Sequence, residues 1–400
     1  MSGGVLAGMR IVEVSAFVAA PLGGMTLAQM GADVIRIDRP SGGLDYRRWP
    51  VTEANASLFW AGLNKSKRSV TIDTSTGEGR ELAQALITAA GDDAGMLLTN
   101  MPPRGWLDYG ALSTRRKDLI QLTVQGRRGG GSAVDYTVNT TVGLPFLTGP
   151  EDCTDVVNHV LPAWDLITGQ MAAVGLLAAE RHRRINGGGR HVMLALEDVA
   201  LANISNLGIL GEAELGVRRG RYGNYLYGAF GRDFETGDQQ RIMVVGLTEK
   251  QWSSLCSATE IVEGVQALEQ DLGVDLDQEG ERFKVREQLA ALMEPWFAAR
   301  SLQDIATIFD AAGVCWSHYQ SVQDLVNTDP RASAGNPLLA SVIQPDIGEL
   351  LAPAIPLDFG ADQLAPEAAP KLGAHTEEVL SGVLGMNSVE IGLLYDKGVL

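Results

Sequence analysis

Short apolar runs of strand character alternate with helical stretches through the first half of this chain, and that alternation constrains the fold more than any other feature. Strand patterns are read at Arg10–Val14, Asp33–Ile37, Ser69–Ile72, Gly95–Thr99, Leu119–Val124 and His191–Leu196. Between them lie helical patterns at Pro21–Met30, from Gly77 to about Ala90, from Asp165 through the Ala/Leu-rich run Gln170–Arg184, and from Glu197 to about Leu210. Strands that alternate with helices are parallel neighbours joined by crossovers, so the expectation is an α/β fold: an open, mostly parallel, Rossmann-like sheet with helices on both faces. Asn186-Gly-Gly-Gly189 supplies the C-cap and turn that end the longest helix.

From about Glu212 the texture changes. A Gly/Arg/Tyr-rich stretch, Gly216–Gly231, leads to a strand at Arg241–Val245 and then to acidic helical segments at Glu249–Thr259, Glu281–Ala299 and Leu302–Ala312. Residues 1–211 are therefore read as the N-terminal part of a large α/β domain and 212–330 as a smaller α+β domain. Residues 331–400 are read as a return to the large domain, with Pro-rich connections from Asn336 to Pro370 and closing helices at His375–Leu384 and Ser388–Tyr395.

No apolar run reaches the length of a membrane span, and the first residues carry no basic region or cleavage pattern, so a cytoplasmic protein without a membrane partner is expected. Cys153, Cys256 and Cys315 lie far apart and read as small buried hydrophobes; the five histidines lack metal-ligand spacing, and no metal is expected. The net charge of −17 is unevenly spread. Residues 1–130 hold 15 Lys/Arg against 12 Asp/Glu, leaving 17 against 37 for the remainder. Nucleic acid is a poor partner for so acidic a chain, whereas a small polyanion suits its N-terminal part.

Five segments could carry chemistry. Asp165, in Leu161-Pro-Ala-Trp-Asp-Leu-Ile-Thr-Gly169, stands where an apolar helix begins. It reads either as an ordinary N-cap or as a carboxylate held ionised by free N–H groups and facing a substrate. Asp38 ends the second strand, where a dinucleotide fold would hold a ribose, but Ser15-Ala-Phe-Val-Ala-Ala-Pro-Leu-Gly-Gly24 lacks GxGxxG, which argues against NAD or FAD. Arg36, Arg39, Arg47, Arg48, Lys65, Lys67 and Arg68 form a basic cluster near strand ends, suited to a cofactor with several phosphates or to a solvated face. Asn100 and Arg104 sit on the loop after the fourth strand, and Gln125-Gly-Arg-Arg-Gly-Gly-Gly-Ser132 reads as a lid, a phosphate-facing loop or a plain connection.

In their shared order, Gly8–Glu13, Gly31–Pro40, Asn64–Val70, Thr99-Asn100, Trp164–Gly169, Gly187–Arg190 and Leu372–Glu377 resemble the class III CoA-transferase family, which also contains α-methylacyl-CoA racemases. The resemblance implies an acyl-CoA substrate, no cofactor beyond its CoA moiety, and an interlocked homodimer. It also implies an aspartate nucleophile at Asp165 and CoA contacts near Phe17, Val18, Arg39, Asn100, Met101 and Arg104. Ser15–Gly24, Val157–Asp165 and Gly223–Thr236 are similar to members that shift CoA within one molecule. They imply conversion of 2-methylfumaryl-CoA (mesaconyl-C1-CoA) to 3-methylfumaryl-CoA (mesaconyl-C4-CoA) in the 3-hydroxypropionate cycle. The alternative is intermolecular transfer between dicarboxylates, from succinyl-CoA to malate or mesaconate. Trp164, Phe17 and Tyr225–Phe230 are candidate walls that would exclude water. Racemases of the family place a His directly before an Asp where this chain has Val134 before Asp135, so α-proton exchange lacks its second acid/base group.

Overall fold

The computed structural model describes residues 3–400. Its central element is a six-stranded sheet: β1 (Arg10–Val14), β2 (Asp33–Asp38), β3 (Arg68–Thr71), β4 (Met96–Thr99), β5 (Ile120–Gln125) and β6 (Arg190–Ala195). Every pairing in it is parallel and the order is β3-β2-β1-β4-β5-β6. Val12, for example, lies level with Ile35 on one side and Leu97 on the other. The order reverses between β1 and β4. In sheets of this kind the crevice beyond the carboxyl ends of the two strands at that switch point is where ligands sit.

Seven helices accompany these strands: α1 (Ala19–Gln29), α2 (Leu58–Leu63), α3 (Gly77–Thr88), α4 (Tyr109–Arg115), α5 (Asp135–Thr141), α6 (Ala163–Asn186) and α7 (Leu196–Asn206). Alternation along β1 divides the core. Val12 and Val14 face a cluster built with Leu82, Leu86 and Ile87 of α3 and with Val379 and Leu394 of the C-terminal helices. Ile11 faces the opposite cluster, with Leu27 of α1 and Ala172 and Leu176 of α6. Burial on both sides explains why these strands read as continuous apolar runs.

Two glycines set how closely α1 and α6 approach. A Cβ on Gly23 would lie 2.9 Å from the Gly169 carbonyl oxygen, and one on Gly169 would lie 2.7 Å from that of Ala19. Only bare backbone fits at both places, and the resulting contact brings the N-terminal turns of the two helices side by side.

The exposed edge of the sheet at β3 is closed by the end of the chain rather than by another strand. The Ser69 N–H donates to His375 Nδ1 at 3.1 Å, Thr71 N–H to Thr376 Oγ1 at 3.1 Å, and His375 N–H to the Ser69 carbonyl at 2.9 Å. Covering an edge in this way removes a row of unpaired backbone groups. The Pro-rich return contains an antiparallel hairpin, Leu339–Gln344 with Gly348–Pro353, that composition had not suggested.

The chain divides into two compact units: one runs to Val142 and continues with His159–Gly211 and Pro330–Leu400; the other comprises Gly143–Asn158 and Glu212–Asp329. The second holds a three-stranded antiparallel sheet with helices around a core containing Phe230, Trp252, Phe297 and Phe309. Gly143–Asn158, read from the sequence as part of the large domain, groups with this unit because the Arg221 guanidinium donates to the carbonyls of Pro145, Phe146 and Cys153. Of the cysteines, Cys256 is buried as expected, whereas Cys153 is only partly so and Cys315 is exposed. Among the described residues no helix is long and apolar enough to cross a membrane.

Candidate functional site

Helix α6 begins two residues before Asp165 and without a side-chain cap of its own, since Pro162 precedes it. The missing cap comes from α5. Asp135 Oδ2 accepts the N–H groups of Trp164 at 2.7 Å and Asp165 at 3.1 Å, while Asp135 Oδ1 lies 2.6 Å from His159 Nε2. Asp135 itself is 1% exposed. Asp165 is therefore neither the N-cap nor held by the free N–H groups of its own helix, because another carboxylate has taken them. No hydrogen bond reaches its side chain among the described residues.

The electrostatic consequence reverses the sequence expectation of a carboxylate kept ionised by the helix terminus. Burial, and then the negative charge of Asp135, push Asp165 up to about 6, against a smaller opposing pull from Arg48. A carboxylate of this basicity is still mostly ionised at neutral pH and is a better nucleophile than an ordinary one.

Asp165 lines a cavity of about 470 Å³ with Phe17, Val18, Arg48, Phe59, Asn100 and Asp135, all carried by the first unit. Next to it, at the carboxyl ends of β1, β2 and β4, a crevice of about 650 Å³ is lined by Arg39, Gly42, Met101, Arg104 and Trp106 among others. The seven residues singled out beforehand thus divide: Phe17, Val18 and Asn100 stand with Asp165, whereas Arg39, Met101 and Arg104 stand in the neighbouring crevice. Asn100 and Met101, adjacent in sequence, face one space each.

Asn100 is occupied with the protein. Its Oδ1 accepts the Ala16 N–H at 3.0 Å and its Nδ2 donates to the Ala16 carbonyl at 2.7 Å, clamping the loop from β1 to α1. One residue on, Phe17 holds a left-handed backbone (φ 69°), and its N–H donates to both oxygens of Asp45 at 2.8 and 3.0 Å. A non-glycine residue in this region is strained and persists only when its surroundings fix it. Val18 and Ala19 follow at the start of α1, and their N–H groups have no acceptor among the described residues.

Beneath this loop lies a buried ionic network that corrects the reading of the basic cluster. Arg36, 1% exposed, bonds Asp38 at 2.9 Å, Asp45 at 3.0 Å, Asn64 at 3.0 Å and the Ser15 carbonyl at 3.1 Å. Lys67 lies 2.9 Å from Glu13 and donates to the Pro21 carbonyl at 2.8 Å. Burial alone would lower Arg36, but Asp38, Glu13 and Asp45 outweigh it and raise its affinity for its proton. These cations brace the loop rather than face a ligand. Asp38 lines the neighbouring crevice with each oxygen already bonded by Arg36. Arg68 pairs with Asp33 and Glu378, and Lys65, largely buried, donates to the Gly62 carbonyl, which leaves Arg39, Arg47 and Arg48 of the cluster as the cations with neither an ion pair nor a backbone acceptor for the side chain among the described residues.

Other expectations fare differently. Trp164 is 5% exposed, donates through Nε1 to Asn139 and is absent from the cavity lining, so it belongs to the core and not to the wall. Phe230 is buried within the second unit's core. Arg127 and Arg128 of the glycine-rich loop reach Glu197 and Asp198 in the first turn of α7 instead of standing free for a phosphate. Sequence spacing missed Asp135 and His159, which lie 24 residues apart and meet only through the fold. His159 is nonetheless outside the cavity lining, with Asp135 between it and Asp165.

Comparison with known proteins gives the arrangement its context. Residues 6–376 match the model of CoA-transferase family III. The chain belongs to that family. Among its relatives, it is 56% identical to the 2-methylfumaryl-CoA isomerase of Chloroflexus aurantiacus over 99% of this chain and 98% of that one. It is 28% identical to the succinyl-CoA–L-malate CoA-transferase beta subunit of the same organism, over 99% and 98% of the two chains. Solved family folds superpose as well. A CAIB/BAIF family protein from Brucella suis aligns with a TM-score of 0.76 at 24% identity, covering 95% of this chain and 99% of that one. The Mycobacterium tuberculosis protein Rv3272 aligns with a TM-score of 0.74 at 22% identity, covering 94% and 98%.

Proposed function

We propose that this family III enzyme converts 2-methylfumaryl-CoA to 3-methylfumaryl-CoA by moving CoA between the two carboxyl groups of one dicarboxylate. One observation carries the reading: the likeness to the Chloroflexus isomerase over nearly its whole length. An unpaired, basic carboxylate at the sheet's switch point supports it.

In the sequence proposed, Asp165 attacks the C1 thioester carbonyl. The C–S bond breaks, leaving a mixed anhydride and CoA thiolate. The thiolate attacks the aspartyl carbonyl, the anhydride C–O bond breaks, and the dicarboxylate is released against an aspartyl-CoA thioester. Its C4 carboxylate then attacks that thioester and expels thiolate. Attack of the thiolate at C4 frees Asp165. Bonds of the same kinds are exchanged throughout, and no net proton or electron is gained or lost. The N–H groups of Val18 and Ala19 are the donors proposed for the oxyanion that forms at each attack.

The crevice with Arg39, Met101 and Arg104 is proposed to take the nucleotide end of CoA, Arg39 and Arg104 meeting its phosphates. The pantetheine arm then passes along Phe17, Val18 and Asn100 towards Asp165. A cytoplasmic homodimer completes the reading. Exposed Met171 and Val174 on α6 and Leu201 on α7 favour a second copy covering that face.

Mass spectrometry of the products from unlabelled 2-methylfumaryl-CoA, with ¹³C-labelled free mesaconate present, tests the reaction. The C4 thioester is expected without label. Stoichiometric label would replace this reading with intermolecular transfer, and absence of any C4 thioester would end both.

A further inference from the structure

Among the residues lining the Asp165 cavity the only charged side chains are Asp165, Asp135 and Arg48. Asp135 is committed to the start of α6 and to His159. Arg48 is committed to nothing through its head. Its backbone is pinned, with the N–H donating to the Asp45 carbonyl at 3.2 Å and the carbonyl accepting from Ser57 Oγ at 2.6 Å. Its guanidinium lies over the rings of Phe17 and Phe59, 5.3 and 5.1 Å from their centroids, and makes no hydrogen bond or ion pair among the described residues. Stacked aromatic faces hold a guanidinium in place without using its N–H groups, so its donor edge stays open.

Resting on the isomerase reading above, we infer that Arg48 is the residue that binds the substrate carboxylate not engaged in the thioester, and so holds the dicarboxylate between the two halves of the transfer. The need arises from charge. While CoA is carried on Asp165, the acyl group has become a free dianion. The Asp165 side chain is then uncharged and Asp135 still repels. One carboxylate must reach the aspartyl thioester, and the other needs a cation or it draws the molecule out to water. A planar fork suits a carboxylate bidentately. In 2-methylfumarate the carboxylates lie trans across the double bond, so a half-turn exchanges them. Arg48 meets an equivalent group before and after, while the end presented to Asp165 changes. A family member acting on a monocarboxylate has no use for such a cation.

Arg48→Met and Arg48→Lys test this against the wild type, with 2-methylfumaryl-CoA and with 2-methylbut-2-enoyl-CoA, in which a methyl group replaces the C4 carboxylate. Hydroxylamine trapping of the aspartyl adduct reports the first attack for both thioesters. Arg48→Met is expected to reduce the preference for the dicarboxylyl substrate roughly 10- to 100-fold, the range set by losing a hydrogen bond to a charged group. It is also expected to raise KM more than it lowers kcat, and to release free mesaconate and exchange labelled mesaconate into product. Arg48→Lys should recover part of the preference. A preference within twofold of wild type in Arg48→Met, with no free mesaconate, overturns the inference. If the wild type makes no C4 thioester but its adduct formation prefers the dicarboxylyl substrate through Arg48, the isomerase reading falls and the carboxylate site stands.

Discussion

Two clusters of acidic and basic side chains stand within one loop's width of each other and are built on opposite plans. Under the β1–α1 loop, Glu13, Asp38 and Asp45 face Arg36 and Lys67, and the hydrogen bonds satisfy nearly every polar atom. In the cavity above, Asp135 is held by His159 and two backbone N–H groups, but Asp165 has no hydrogen-bond partner among the described residues and only the stacked Arg48 to oppose burial and the charge of Asp135, and it is pushed up to about 6. The first cluster places charge where opposite charge cancels it, which fixes geometry. The second leaves charge uncancelled, which costs stability and supplies reactivity.

If that contrast is right, substitutions should have opposite signs in the two places. The largest effect is expected for Asp165→Ala, which removes the proposed acyl carrier: CoA migration should fall below detection while circular dichroism and acyl-CoA binding persist, and measurable turnover of that variant would refute the nucleophile. Next comes Arg36→Met. It leaves Asp38 and Asp45 without their cation in the interior, while Glu13 keeps Lys67, and should lower unfolding free energy by about 3–5 kcal/mol in a denaturant titration. A loss under 1 kcal/mol would show the network to be dispensable.

Asp165→Asn should do the reverse and stabilise the fold. Its folded-state value of about 6 lies above the ordinary 3.8, so the folded chain binds the proton more tightly across that interval. Stability accordingly falls as pH rises from 3.8 to about 6, and the deficit persists at pH 7. Allowing for solvent screening of a partly exposed group, removal of the charge should gain on the order of 1 kcal/mol, read as a higher Tm at pH 7 that vanishes near pH 4. An unchanged Tm would mean that Asp165 is not strained by its surroundings.

The same carboxylate predicts the acid limb of kcat/KM. Activity should drop below pH of about 6, as the nucleophile protonates. In Asp135→Asn the limb should move to lower pH, because the second-largest cause of the raised value is gone. A limb that stays in place would show that burial alone, and not Asp135, raises Asp165. The smallest effect is expected at the sheet edge. His375→Ala removes one acceptor for the Ser69 N–H and should cost about 1 kcal/mol, seen as faster amide exchange at Ser69.

The legibility of this chain follows the distance over which each feature is encoded. β1 was readable to the residue and the helix at Leu302–Ala312 likewise, since both are set by local periodicity. The catalytic candidate at Asp165 was readable because a family motif surrounds it. What was not readable depends on residues distant in sequence. The cap that Asp135 lends to α6, the pairing of Arg36 with Asp45, and the place of Trp164 in the core all arise after folding. Seven positive charges in a row of segments looked alike on paper, and only the register of β2 against the loops separates the buried from the available. The hairpin at 339–353 escaped because neither Leu339–Gln344 nor Gly348–Pro353 alternates apolar with polar residues, and both lie mostly on the surface rather than in the core.

The way the chain's last residues complete the sheet has a consequence for its birth. Thr376 meets Thr71, Asp73 takes the Val399 carbonyl, and Val399 and Leu400 sit in the core with β1 and β3. On the ribosome, then, the N-terminal strands emerge some three hundred residues before the segment that seals their edge. The inserted unit, with its core contributed by closely spaced helices and strands, can fold in the interval. Completion of the unit that carries the candidate site therefore waits on synthesis of residues 375–400, and a chain stopped before them would leave an adhesive strand uncovered.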